Sequence, residues 1–174
     1  MIHRPRRVSR TKRAALASRR GNPPVAGRLL RFEPLEDRRL LSITVNTLVD
    51  EDNGVAVGGI SLRDAIAAAT PGETINFAPS LTVGGFATIE LMHGTLAIDK
   101  DLQISGPGSL YLSIDGDAIG STPTGSTGAP IFTIGDGNFV ADHHVTISGL
   151  AIRNGRSMYA GGGIFNSENL TIVG

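Results

Sequence analysis

A five-residue unit, apolar–polar–apolar–any–Gly, recurs through the C-terminal half of the chain. Leu102-Gln103-Ile104-Ser105-Gly106 returns as Val145-Thr146-Ile147-Ser148-Gly149 and as Leu170-Thr171-Ile172-Val173-Gly174. Leu112-Ser113-Ile114-Asp115-Gly116 and Phe132-Thr133-Ile134-Gly135 are looser copies. A repeat constrains the fold first, because one unit cannot bury its apolar face without neighbours. The alternation makes each unit a strand with its first and third side chains on one face. Glycine then supplies the backbone freedom for a bend. Equivalent units recur from Leu150 to Leu170, or from Val145 to Leu170. A step of that length suits three short strands and three bends per coil, stacked in parallel with Ile, Leu and Val ladders inside. Residues 87–174 therefore read as an all-β solenoid, with room for three or four coils after Ile89.

Residues 43–86 read as an N-terminal cap. Ile43 to Val49 alternates and is β-branched, which predicts a strand. Asp50 to Gly59 reads as an acidic loop. Residues 61–70 predict a helix, with Ser61 as N-cap and Asp64 three residues on completing a capping box. Leu62, Ala65, Ile66 and Ala69 share one face, and Pro71-Gly72 ends the helix. A second strand begins near Ile75 and Phe77. The Ser61-Leu62-Arg63-Asp64-Ala65-Ile66 block resembles the Ser-Leu-Arg-Glu-Ala-Ile segment that opens many bacterial secreted repeat proteins. There it precedes a right-handed parallel β-helix, so the resemblance implies that fold and a capping helix. Asp64 replaces that family's Glu, and Ile60 stands where it often has Cys. Gly161-Gly162-Gly163-Ile164-Phe165-Asn166 is similar to repeats of bacterial β-helix surface proteins, including the chlamydial polymorphic outer-membrane proteins. Asn166 is expected to bond backbone groups at a bend and to stack in a ladder.

The formal net charge is zero, but the charge is segregated. Residues 1–41 carry 12 Lys+Arg against 3 Asp+Glu, and residues 42–174 carry 4 against 13. Residues 1–42 read as a disordered basic arm, too charged and too poor in apolar surface to order. Ala14-Ala15-Leu16-Ala17 is too short for the apolar core of a standard signal peptide. No aromatic interleaves the arginines, which argues against nucleic-acid binding. A plain solvated tail and an export leader remain. FEPLEDRRLLS at 32–42 resembles the leader-associated motif of planctomycete exported proteins, carried by Phe32, Glu33, Pro34, Leu35, Glu36, Arg38, Leu40, Leu41 and Ser42, with Asp37 in place of the usual Pro. The resemblance implies export to the cell surface or medium. A short helix docking Leu35, Leu40 and Leu41 on the domain is the competing reading.

Chemistry is sparse. The chain has no Cys, which excludes disulfides and thiol catalysis. It has no apolar run long enough for a transmembrane helix. The acids Asp99, Asp101, Asp115, Asp117, Asp136 and Asp142 lie beside glycines or at strand ends, where they serve bends. Pectate-lyase-like enzymes of the β-helix class bind calcium through clustered carboxylates and use an Arg or Lys base. The bases after residue 42 are Arg63, Lys100, Arg153 and Arg156. Arg63 reads as an exposed helix residue or the partner of a nearby acid. A cluster of acids with a base on one outward strand face, the mark of an enzyme on this fold, is expected to be lacking. Asp115 and Asp117 are the weak calcium candidates, without the spacing of a twelve-residue loop. His143 and His144 are adjacent, point apart on a strand, and read as a solvated pair; His93 reads as a bend residue.

No catalytic residue and no cofactor are therefore expected. The reading is a non-catalytic secreted or cell-surface protein, an adhesin or envelope component, with a polysaccharide or cell-surface ligand. The alternative is a polysaccharide lyase or hydrolase on the same fold. Gly174 ends a strand unit in register with earlier copies, so further coils are expected. The isolated chain is expected to associate through residues 164–174, because an open strand edge templates addition.

Overall fold

The computed structural model describes residues 42–116, 129–138, 142–157 and 161–174. The basic arm and its motif, residues Phe32 to Leu41, lie outside the described residues, as does Asp117. In chain order the elements are β1 (Ser42–Val45), α1 (Leu62–Ala68), β2 (Glu73–Phe77), a 3-10 turn (Pro79–Thr82), β3 (Ala87–Glu90), β4 (Leu96–Ile98) and β5 (Leu102–Ser105). There follow β6 (Leu112–Asp115), β7 (Phe132–Ile134), β8 (His144–Ser148), β9 (Ala151–Arg153), β10 (Ile164–Asn166) and β11 (Asn169–Val173).

The strands form three parallel sheets, ordered β1-β2-β5-β8-β11, β4-β7-β10 and β3-β6-β9. From β2 onward, consecutive strands fall in different sheets. Among the described residues the chain is thus mostly β, with one α-helix. From β2 onward each strand pairs not with its immediate neighbour but with the strand three places along, one full excursion away. The first sheet stacks Ile43, Ile75, Ile104, Ile147 and Ile172 in one column. The second stacks Leu96 on Phe132 and Ile98 on Ile134, and the third stacks Ile89, Ile114 and Ile152. The inner members of these columns are buried and form one core with Leu62, Ala65, Ile66 and Ala69 of α1. The expected helical face is the observed one.

Several expected details change. Leu170 does stack on Val145, but Leu150 is no equivalent of Leu170: Ile152 of β9 pairs with Ile114 in another sheet. The step between paired strands is also uneven. The excursion from Leu102 to its partner Val145 is much longer than the one from Val145 to Leu170. The looser copies at 112 and 132 are strands of the other two sheets. The same two-faced strand suits every sheet, so the motif marks strands without assigning them. β1 stops at Val45 because Asn46 turns the chain: its N–H donates to Ile60 O (3.0 Å) and its Oδ1 accepts from Ile60 N (2.7 Å).

The helix is shorter than 61–70. Ser61 caps it, its Oγ accepting from Asp64 N at 3.0 Å. The Asp64 carboxylate does not complete a capping box. It accepts from Ser61 Oγ (2.9 Å) and from the N–H groups of Asn53 (3.1 Å) and Gly54 (2.8 Å). Asp is one carbon shorter than Glu, and it ties the preceding loop to the helix instead. Lys100 Nζ reaches the terminal carbonyls of Ile66 (3.4 Å) and Ala69 (3.3 Å), where a cation suits the helix dipole.

The bend after β5 lies against the bend after β8. Gly149 has φ +60°, and a Cβ on Gly106 would strike the Gly149 carbonyl. Glycine at both positions permits this approach. Asn166 does bond its own bend, donating to Glu168 O (2.8 Å) and accepting from Glu168 N (3.2 Å). It stands opposite Ile134, so no asparagine ladder forms there.

The inward columns set stability. Ile147→Asp places a charge between Ile104 and Ile172 and is expected to cost roughly 3 kcal/mol or more. His144→Ala, on an exposed residue of the same strand, is expected to cost under about 0.5 kcal/mol. Urea denaturation of both variants tests the assignment, and equal losses contradict it.

Candidate functional site

Alternation along β3, β6 and β9 points Thr88, Glu90, Ser113, Asp115 and Arg153 away from the core, since Ile89, Leu112 and Ile114 point into it. Register then aligns Glu90, Asp115 and Arg153 in one row across three strands. A parallel row holds Thr88 and Ser113, whose hydroxyls are 3.0 Å apart. Phe86 and Tyr111 precede the two strands as neighbours, because Ala87 N donates to Tyr111 O (2.8 Å). The two aromatics are 49% and 54% exposed. The Arg153 guanidinium lies 4.8 Å from the Phe86 ring centroid, a cation–π contact. The Asn154 side-chain amide donates to both Asp115 oxygens, at 3.0 and 2.8 Å, from a left-handed backbone (φ 55°).

The structure therefore corrects one expectation: two acids and a base do share an outward strand face. The sequence hid them because Glu90, Asp115 and Arg153 come from three separate excursions of the chain and meet only through strand register. The exposed part of this face carries two aromatic rings, one of them under the Arg153 guanidinium, and two carboxylates, while the Ser113 hydroxyl is buried against Thr88. Of the calcium candidates, Asp115 is engaged by Asn154, and Asp117 lies outside the described residues.

A second cluster sits between β7 and β8. His143 is half-buried beside Asp101, Asp136 and Asp142, with nitrogen–oxygen distances of 3.7, 3.8 and 3.8 Å. His144 is exposed, as expected, but His143 precedes the strand, is half-buried beside acids and is no plain solvated residue. Asp101 Oδ1 also accepts from His144 N (2.8 Å), and Asp136 Oδ1 from Asn138 N (2.7 Å), which is bend chemistry. Asp99 is exposed, 3.6 Å from Lys100.

Arg63 is a structural residue. Its Nε and Nη2 donate to Asp50 at 2.8 and 3.0 Å, and it also donates to Thr95 O (2.9 Å) and Gly94 O (2.8 Å). Asp50, only 4% exposed, further accepts from Met92 N (2.8 Å) and His93 N (2.9 Å). Asp50, read as the start of an acidic loop, is thus the buried anchor of the 91–95 turn, where His93 is a bend residue. A groove of about 340 Å³ beside α1 includes Asp52, Arg63, Thr95, Asp99 and Lys100, and both of its cations already serve the fold.

No protein-family model, no curated protein and no solved structure matches the chain. No helix among the described residues is long and apolar enough to cross a membrane.

Burial acts to raise the Asp50 carboxyl. The hydrogen bonds from Arg63, His93 and Met92, together with the Arg63 charge, outweigh it and hold the group below its ordinary 3.8. A folded-state value below the unfolded one stabilises the fold above pH about 4, and the stabilisation is lost as pH falls through the folded value. Asp50→Asn leaves the Arg63 guanidinium without its counter-charge, and is expected to cost about 3 kcal/mol at pH 7. The gap between wild type and variant is expected to narrow below pH about 4. Urea unfolding at pH 7 and at pH 3 checks both statements, and a gap that widens on acidification contradicts them.

Proposed function

We propose that the chain is a non-catalytic, exported recognition protein, an adhesin or envelope component built as a right-handed parallel β-helix. The parallel sheets and the rotation of successive strands among them support the winding. Parallel crossover connections are almost always right-handed, which supports the hand. On this reading α1 caps the first coil. The FEPLEDRRLLS resemblance supports export. Ile172 and Val173, 61% and 54% exposed on the edge strand β11, support self-association along that edge.

The observation that carries recognition is the face with Phe86 and Tyr111 beside the Glu90–Asp115–Arg153 row. Exposed aromatic rings rimmed by charged groups mark binding surfaces. The ligand class is a polysaccharide, whose sugar rings present apolar C–H faces to aromatics and hydroxyls to carboxylates. Arg153 rests on Phe86 and Asp115 is held by Asn154, which favours binding over proton transfer. The second reading, a polysaccharide lyase or hydrolase, is favoured by that same row of two acids and a base.

Immobilised polysaccharides separate the two. The chain is expected to bind at least one, with Phe86→Ala and Tyr111→Ala each weakening binding about tenfold, the size of an aromatic anchor lost from an interface. No unsaturated product or new reducing end is expected, with or without calcium. Product formation that fails with Glu90→Gln establishes the enzyme reading. Absence of binding across acidic and neutral polysaccharides removes the proposed ligand class.

A further inference from the structure

Two turns enter paired strands of the β3-β6-β9 sheet side by side. One carries Val83 and Phe86 into β3, the other Leu110 and Tyr111 into β6. Val83 is 84% exposed and Leu110 81%, and both rings are about half exposed. None of the four belongs to the buried core or packs against it. Single exposed apolar side chains are ordinary, but four on two adjoining turns make a patch.

Arg153 is a separate observation. It lies on β9 in register with Asp115, yet its guanidinium lies 4.8 Å from the Phe86 ring centroid. Among the described residues it has no hydrogen-bond acceptor and no ion-pair partner. A guanidinium laid on a ring keeps its planar fork of N–H donors open, and that fork matches a phosphate group. The patch thus carries its own positive charge with unused donors. Polarity then runs in order along the strands. The aliphatic pair comes first, then the rings with the guanidinium, then Thr88, and last the acids Glu90 and Asp115. At about 3.3 Å per residue the acids stand roughly 13 Å beyond the rings.

That order is the one met across a lipid–water boundary. Aliphatic side chains enter the acyl region, aromatic rings sit at headgroup level, and a long cationic side chain reaches the phosphates. A sugar stacks on aromatic rings and has no use for Val83 or Leu110. A stable protein interface uses roughly 20–30 residues a side, far more than this corner offers.

We propose that this corner docks the protein on a phospholipid surface, with Val83 and Leu110 inserted and Arg153 bound to a lipid phosphate. Residues 42–174 carry 13 Asp+Glu against 4 Lys+Arg, so the body is repelled by a strongly anionic leaflet and suits a zwitterionic one. Attachment is shallow and reversible, and the Glu90–Asp115 row stays in water. The proposal does not rest on the polysaccharide reading.

The experiment uses the full chain, sedimented with sucrose-loaded phosphatidylcholine vesicles at physiological salt. A zwitterionic lipid is used because the arginines of residues 1–41 would bind an anionic one unaided. Wild type is expected to sediment with the vesicles. Val83→Ser and Leu110→Ser are each expected to weaken partitioning about tenfold, the loss of one buried aliphatic side chain. Both are expected to keep the wild-type melting temperature and any polysaccharide binding. Arg153→Gln is expected to weaken partitioning about fivefold on phosphatidylcholine, and to have no effect on vesicles of a digalactosyl lipid that lacks phosphate. Met92→Ser, at the far end of β3 and 60% exposed, is expected to bind as wild type does. No co-sedimentation at millimolar lipid overturns the proposal. So does binding that survives Val83→Ser and Leu110→Ser together, an equal loss from Met92→Ser, or loss of polysaccharide binding along with vesicle binding in the two serine variants. An equal effect of Arg153→Gln on both lipids overturns the phosphate contact.

Discussion

In-register parallel pairing is the constraint on which the rest of the molecule depends. Because Ile75, Ile104 and Ile147 stand directly over one another, a single interior position repeats from strand to strand. That position is isoleucine in each of these strands, whereas the second sheet stacks Leu96 on Phe132, so each column is packed to its own shape within a close-packed core. The same register sends every second side chain outward. Residues far apart in the chain meet in rows, and neither Glu90 nor Arg153 can leave the row without shifting the core column beside it.

The margins of the stack are held by buried polar groups. Asp50 gathers Arg63 of α1 and the N–H groups of Met92 and His93, so one carboxylate joins the helix to the turn between β3 and β4. Glu168 joins the turn after β10 to the start of β8 in the same way. Turns that leave one sheet for another expose N–H groups that no strand satisfies, and a carboxylate of the next excursion is the nearest strong acceptor. Among the described residues Asp50, Asp64, Glu73, Asp101, Asp136 and Glu168 all accept backbone N–H groups, a use of acids that does not depend on the four cations after residue 42.

How far the sequence speaks follows from this division of labour. Period-two alternation locates most of the strands, though not β3, β4 or β10, and the Ser61 cap with the Leu62/Ala65/Ile66/Ala69 face locates the helix, because those signals are local. Sheet membership is not local. Leu112-Ser113-Ile114 and Leu102-Gln103-Ile104 look alike because both present one apolar face to a common core, yet they lie in different sheets. When the two are read as copies of one unit, Glu90 and Asp115 have no reason to meet. Asp50 is hidden for another cause: an acid in a Gly-containing loop looks solvated unless its partner Arg63 is seen to fold over it. His143 looks bland in the sequence because Asp101 and Asp136 approach it from other turns.

Row and turn differ in how they constrain function. The Glu90–Asp115–Arg153 row is fixed by strand register, so its spacing is rigid and repeats at about the separation of paired strands, 4.8 Å. A surface of that kind suits an extended ligand that is itself periodic. The turns are set instead by the length of chain between paired strands. The excursion from Leu102 to Val145 is far longer than that from Val145 to Leu170, yet all three residues share one column, so an excursion can lengthen by whole loops while the core stays in place. Loop closure grows only slowly more costly with length, and added residues leave the sheets unchanged. The division between rigid outward rows and adaptable turns thus follows from the same register that builds the core.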